Sequence, residues 1–247
     1  MSSDLGHLAA ADTHGRTAML CGETVGHNGL RAWTASTRSK IAFWDGRYRD
    51  AINHARRGAS YNPPGTVQAL LACQEADAWS RLGAIDETQA ALRGAEAARE
   101  SIVGGDEIGG LLSCSIGRQE QYAAAALLRI GSYSEALIQA DMALGHLQAQ
   151  RVRVYGTEAQ TSISQAMAYV GLKEPEAVTD TLEPVLGLPP ERRLDTVIGR
   201  MRDLGSMMAG GPGARGAASI KARATLADWC LDSVPRSLAL SPGGDSA

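Results

Sequence analysis

A short phrase recurs along this chain, and its spacing constrains the fold more than any other feature. Gly46-Arg47-Tyr48-Arg49-Asp50-Ala51-Ile52 returns as Gly131-Ser132-Tyr133-Ser134-Glu135-Ala136-Leu137. Looser copies begin at Gly83 (Gly83-Ala84-Ile85-Asp86-Glu87-Thr88-Gln89) and at Gly171 (Gly171-Leu172-Lys173-Glu174-Pro175-Glu176-Ala177-Val178). Each glycine follows one Ala-rich helical stretch and precedes another, so the unit is a helix–turn–helix pair used repeatedly. The glycines are 37, 48 and 40 residues apart, near the roughly 34 of a tetratricopeptide repeat. The longest interval contains the Gly-rich segment 104–110.

Each position of the phrase has a structural task. The glycine ends the first helix in a left-handed conformation that a side chain would disfavour. The aromatic two residues later fills the angle between the helices, and the acid that follows sits at the positive N-terminus of the second helix. The small residue after it (Ala51, Ala136, Ala177) lets that helix approach its neighbour closely. The motif residues are therefore poor candidates for chemistry.

The expected architecture is all-α, a tetratricopeptide-like helical-repeat solenoid of about four helix pairs plus flanking helices. An N-terminal half-repeat occupies 1–29 and the repeats occupy 30–208. A Gly-rich linker (209–217), a last amphipathic helix (218–234) and a disordered tail (235–247) follow. Thr66 and Asp86 are the expected caps of the helices they precede. In the last helix Ile220, Leu226, Trp229 and Leu231 are the expected apolar side. No strand-period pattern of any length occurs.

Composition excludes several functions. A formal charge of −3 and a pI near 6.0 argue against direct nucleic-acid binding by this chain, which calls for a basic face. No run of about 18 apolar residues exists to span a membrane, and Met1-Ser2-Ser3-Asp4 lacks the features of a signal peptide, so a cytoplasmic location is the expectation. Cys21, Cys73, Cys114 and Cys230 are widely separated, as expected of buried thiols in helices, and no metal site is read from them. No cofactor is expected. The segment 104–110 has no strand before it and no lysine after it, so it is not a phosphate cradle, and a solvated turn accounts for Asp106 and Glu107.

From Ile41 onward, about four-fifths of the chain, the sequence resembles the tetratricopeptide-like C-terminal effector region of actinobacterial Xre-type helix-turn-helix transcriptional regulators. Four segments carry the resemblance: Trp79-Ser80-Arg81-Leu82-Gly83; Asp106-Glu107-Ile108-Gly109-Gly110 followed by 122–131; the stretch 182–193 with Leu188-Pro189-Pro190; and Ser233-Val234-Pro235-Arg236. The resemblance implies a regulatory or ligand-sensing arm, in a family often found near secondary-metabolism genes. It also marks a departure, because the DNA-binding domain that leads such regulators is missing from this sequence.

In a solenoid of this kind the first helix of each pair lines the concave side. Counting back from each glycine places Trp33, Lys40 and Trp44 there, then Asp77 and Arg81, then Arg118, Gln121 and Tyr122, and lastly Glu158, Gln165 and Tyr169. Such a mixed surface suits a peptide, protein or small-molecule effector: arginine takes a carboxylate, amides take backbone groups and tryptophan covers apolar parts. The structural alternative for Asp77 and Arg81, four apart, is that they pair with each other on a solvated helix face. The alternative is a stand-alone enzyme of natural-product biosynthesis that uses the same hollow, with Asp77, Arg81, Arg118 and Glu158 around the substrate and Asp77 or Glu158 as general base. No catalytic motif supports it, so binding is the preferred reading. The apolar faces of the first and last helices would also allow two copies to pair as a homodimer.

Overall fold

A computed structural model describes residues 7–106, 109, 112–210 and 214–233. Among the described residues eleven α-helices follow one another: α1 (Leu8–Val25), α2 (Asn28–Trp44), α3 (Tyr48–Ala59), α4 (Val67–Arg81), α5 (Ile85–Glu100), α6 (Ile116–Arg129), α7 (Tyr133–Gln148), α8 (Tyr155–Leu172), α9 (Pro175–Leu186), α10 (Asp195–Gly210) and α11 (Ala217–Leu231). Among the described residues the chain is all-α. Glu107, residues 211–213 of the expected linker and the expected 235–247 tail lie outside the described residues.

The glycine turns explain the pairing. Gly46, Gly83 and Gly131 have φ of 76, 70 and 82°, a region that L side chains rarely occupy. Tyr48 then packs on Phe43, ring centres 5.5 Å apart. Asp50, Asp86, Glu87 and Glu135 lie in the first turns of their helices. Ala51, Thr88 and Ala136, each five residues beyond its glycine, are buried at 0, 0 and 1% exposure.

The fourth turn departs from this pattern. Gly171 is inside α8, and Lys173 takes the left-handed conformation (φ 65°) instead. Gly171 is small for a different reason: a Cβ there would overlap the ring of Tyr133. Replacing it with alanine should cost about 1–3 kcal/mol, or about 2–12 °C in melting temperature. Gly94 in α5 has open space around it, and Gly94→Ala should raise stability by about 0.4–1 kcal/mol. Thermal melts of the two variants check both signs.

The order of packing places the site. α2, α4, α6, α8 and α10 each lie against the next of that series, while α3, α5, α7 and α9 pack on their own partners and hardly touch one another. α5 makes little contact with α6, from which 15 residues (101–115) separate it in sequence. Asp106 and Cys114 on this connection are both tied to Thr66. The Asp106 carboxylate accepts from the Thr66 N–H at 2.7 Å and from its hydroxyl at 2.8 Å, and the Thr66 oxygen accepts from the Cys114 N–H at 2.6 Å. Asp106 is thus a clasp rather than a solvated turn residue.

Several local expectations change. The Thr66 side chain makes no capping bond, being used by Asp106. The residue before α5 is Ala84, with Asp86 inside the first turn. Cys21 is exposed, and Cys114 precedes α6, so the four thiols are not uniformly buried in helices. α10 runs to Gly210, and α11 starts at Ala217, which shortens the expected linker from both ends. α11 docks through Leu226, Trp229 and Cys230, leaving Ile220 and Leu231 50 and 66% exposed. Its anchor is Arg193, which lies 4.5 Å over the Trp229 ring and donates to the carbonyls of Leu188 (2.8 Å) and Trp229 (3.0 Å) and to Asp232 (2.9 Å).

Candidate functional site

Helices of the even series converge on one cavity. α2 supplies Ser39, Lys40, Phe43 and Trp44, and α4 supplies Gln74 and Asp77. α6 contributes Arg118, Gln121 and Tyr122, α8 contributes Thr157 and Gln160, and α10 contributes Arg200. The convergence follows from the packing order, since residues three and four apart on a helix share one face and these helices are mutual neighbours. Trp44 closes one side against α10, where a side chain at Gly199 would meet its ring at 3.6 Å. The walls combine three aromatic rings with amides and cations.

The electrostatics are dominated by a charge cluster beside this cavity, buried at Asp77, Arg129 and Arg200 and part-exposed at Arg81 and Asp203. Asp77 pairs with Arg129 of α6, with side chains only 8 and 10% exposed. Arg129 also donates to Ser80 Oγ (3.3 Å) and to the carbonyl of Ala125 (3.2 Å). Arg81 pairs with Asp203 of α10 at 2.7 Å. The guanidinium carbons of Arg81 and Arg129 lie 5.7 and 5.4 Å from the centre of the Phe43 ring, positions that favour cation–π attraction. Asp77 and Arg81 therefore do not pair with each other on a solvated face, because each has a partner on another helix.

Arg200 is 2% exposed and is close enough to feel the charges of Arg129, Asp77, Arg81 and Asp203. Burial pushes its guanidinium down to about 9, and the neighbouring Arg129 charge adds to the effect. Its Nε and Nη1 are buried without a hydrogen-bond partner among the described residues. The same is true of Arg129 Nη2, Arg81 Nε and Gln74 Oε1. Buried polar groups in folded proteins are nearly always paired, so this concentration of unmet hydrogen bonds marks the site.

Of the residues read from the sequence, Lys40, Trp44, Asp77, Arg118, Gln121 and Tyr122 are brought together in this cavity. Arg81 stands behind it, held by Asp203. Trp33 lines a separate cleft with Ala11, His14 and Ala18 of α1. Glu158 is engaged by Arg153, Gln165 donates to Asp141 at 2.5 Å, and Tyr169 packs against the core. These three α8 residues miss the cavity because the turn is at Lys173, not Gly171. A two-residue error in register rotates a helix face by about 200°. Counted from Lys173, Gln160 is thirteen residues before its turn, as Arg118 is before Gly131.

Arg129, Arg200 and Asp203 were not anticipated. A buried arginine inside an apolar stretch (Leu127-Leu128-Arg129-Ile130) was the available signal for the first. No protein-family model matches the chain, and none of the curated proteins matches it. Among the described residues, no helix is long and apolar enough to cross a membrane, and no three His, Cys, Asp or Glu side chains gather as a metal site.

Proposed function

We propose that the chain is a tetratricopeptide-like helical-repeat module that binds a small effector in the cavity between α2, α4, α6, α8 and α10, with a regulatory output. The observation that carries this reading is the convergence of five helices on one pocket with Phe43, Trp44 and Tyr122 beside Lys40, Arg118 and Arg200. A ligand touching five helices at once would bias how they pack on one another, which is how binding at one place changes a surface elsewhere. A cavity of about 70 Å³ favours a small molecule over an extended peptide. The link to transcriptional regulation rests on the sequence resemblance alone. The stand-alone enzyme reading gains no support from geometry: its two expected bases, Asp77 and Glu158, are each engaged by an arginine.

A thermal-shift screen of small metabolites tests the proposal. The expected result is a compound that raises the melting temperature in proportion to its occupancy and loses this effect in Trp44→Ala and Tyr122→Ala proteins with unchanged helicity. A screen without hits, together with specific capture of a peptide through residues outside the cavity, would overturn it.

A further inference from the structure

The cavity beside Arg200 combines a completely buried guanidinium, an excess of positive charge and a small apolar wall. We infer that it is an anion site, in which Arg200 holds the carboxylate of a small organic acid whose apolar body lies against Phe43, Trp44 and Tyr122. This rests on the pocket reading above and specifies the ligand class for it.

The first argument is charge balance. Three guanidinium groups, Arg81, Arg129 and Arg200, share two carboxylates, Asp77 and Asp203. Each carboxylate is committed to an arginine other than Arg200. The positive charge left over falls on Arg200, the guanidinium that is itself buried, where an unpaired ion is costly. A bound water can satisfy an N–H but cannot neutralise that charge, whereas a monoanion does both.

The second argument is that Arg200 is less satisfied than the other arginines: Arg38, Arg81, Arg129 and Arg223 each leave one buried nitrogen unmet among the described residues, and Arg200 leaves two. Arg193 is also buried, at 8% exposure, yet it meets two carbonyls, a carboxylate and an aromatic face. Arg99 likewise donates to Gln119 and to the Cys114 carbonyl. Arg200 is more deeply buried than either and leaves Nε and Nη1 unmet. Nε and Nη1 are on opposite sides of the guanidinium, so each can donate one charge-assisted hydrogen bond to an anion's oxygen, one donor at a time.

Size and wall chemistry complete the assignment. The cavity is about 70 Å³, room for about five to seven water-sized groups, which suits a short acid and excludes a folded partner. Its rings supply apolar contact, and the Gln74 amide, 4% exposed with Oε1 unpaired, can accept a hydrogen bond from a donor on the ligand.

Titration calorimetry with two acids and their neutral matches tests this: isovalerate and butyrate against isovaleramide and butyramide, with formate and inorganic phosphate as simple anions. The acids should bind and the amides should not. Arg200→Met should weaken the acids about 30-fold or more, while circular dichroism shows an intact helical fold. Trp44→Ala should weaken the acids relative to formate. Amides that bind as tightly as acids, with both lost in Trp44→Ala, would overturn the anion inference and leave the pocket reading standing. Binding of phosphate or formate alone, equal acid binding by Arg200→Met, or no binding of any acid would each overturn the inference. The pocket reading is judged separately by its metabolite screen.

Discussion

Asp77→Asn should lower the melting temperature by about 6–20 °C, the equivalent of about 3–5 kcal/mol. The carboxylate is 8% exposed, and its partner Arg129 is 10% exposed. Removing one member of a buried pair leaves the other charge uncompensated, and here two further guanidinium groups, Arg81 and Arg200, stand close enough to influence the same cluster. The substitution changes the carboxylate into an amide of nearly equal volume, so lost charge and not lost packing is what the melt reads. Replacing both partners with apolar residues, as in Asp77→Leu with Arg129→Met, should recover most of the loss, since the interior then carries neither ion. A drop below about 2 °C for Asp77→Asn would mean that water reaches the pair freely.

Arg200→Met should have the opposite sign. With no ligand bound, it removes a fully buried, unmatched cation and replaces it with a flexible apolar side chain of similar length. The expected gain is about 1–4 kcal/mol, or about 2–16 °C in melting temperature. A guanidinium whose folded-state pKa is lowered carries its full penalty at any pH below that value, and the penalty fades as pH rises through it. Since burial brings Arg200 to about 9, the gain should be the same at pH 6 and at pH 8. Calorimetric scans at the two pH values measure this directly. A residue that destabilises the empty protein is the pattern expected where binding, not folding, keeps the side chain in place. A lower melting temperature for Arg200→Met would mean that the guanidinium contributes to the fold.

Much of the fold was legible because its determinants are local. Left-handed glycines at 46, 83 and 131, acids in the first turn and buried small residues at a fixed offset are all written within seven residues of one another. The fourth turn misled because Gly171 serves packing against Tyr133, while the left-handed position fell to a lysine. One glycine cannot announce which of its two properties is in use. The site was half legible for the same reason. Lys40, Trp44, Asp77, Arg118, Gln121 and Tyr122 follow from periodicity on helices whose register was right. Arg129 and Arg200 acquire their meaning from partners 52 positions away or on another helix altogether, and no local pattern encodes a pairing of that kind. The Leu188-Pro189-Pro190 stop also concealed that α10 continues the inner series as a neighbour of α8.

The central claim is that charges from α4, α6 and α10 form one coupled cluster with a cation in excess. A double-mutant cycle on Asp77→Asn and Arg200→Met, measured by chemical denaturation of the ligand-free protein, tests it. Removing Arg200 leaves Arg81 and Arg129 facing Asp203 once Asp77 is neutralised, one positive charge fewer than in the single variant. The account predicts that Asp77→Asn costs less in the Arg200→Met protein, with a coupling of about 0.5–3 kcal/mol. Effects that add within about 0.3 kcal/mol, the behaviour of independent sites, would contradict it.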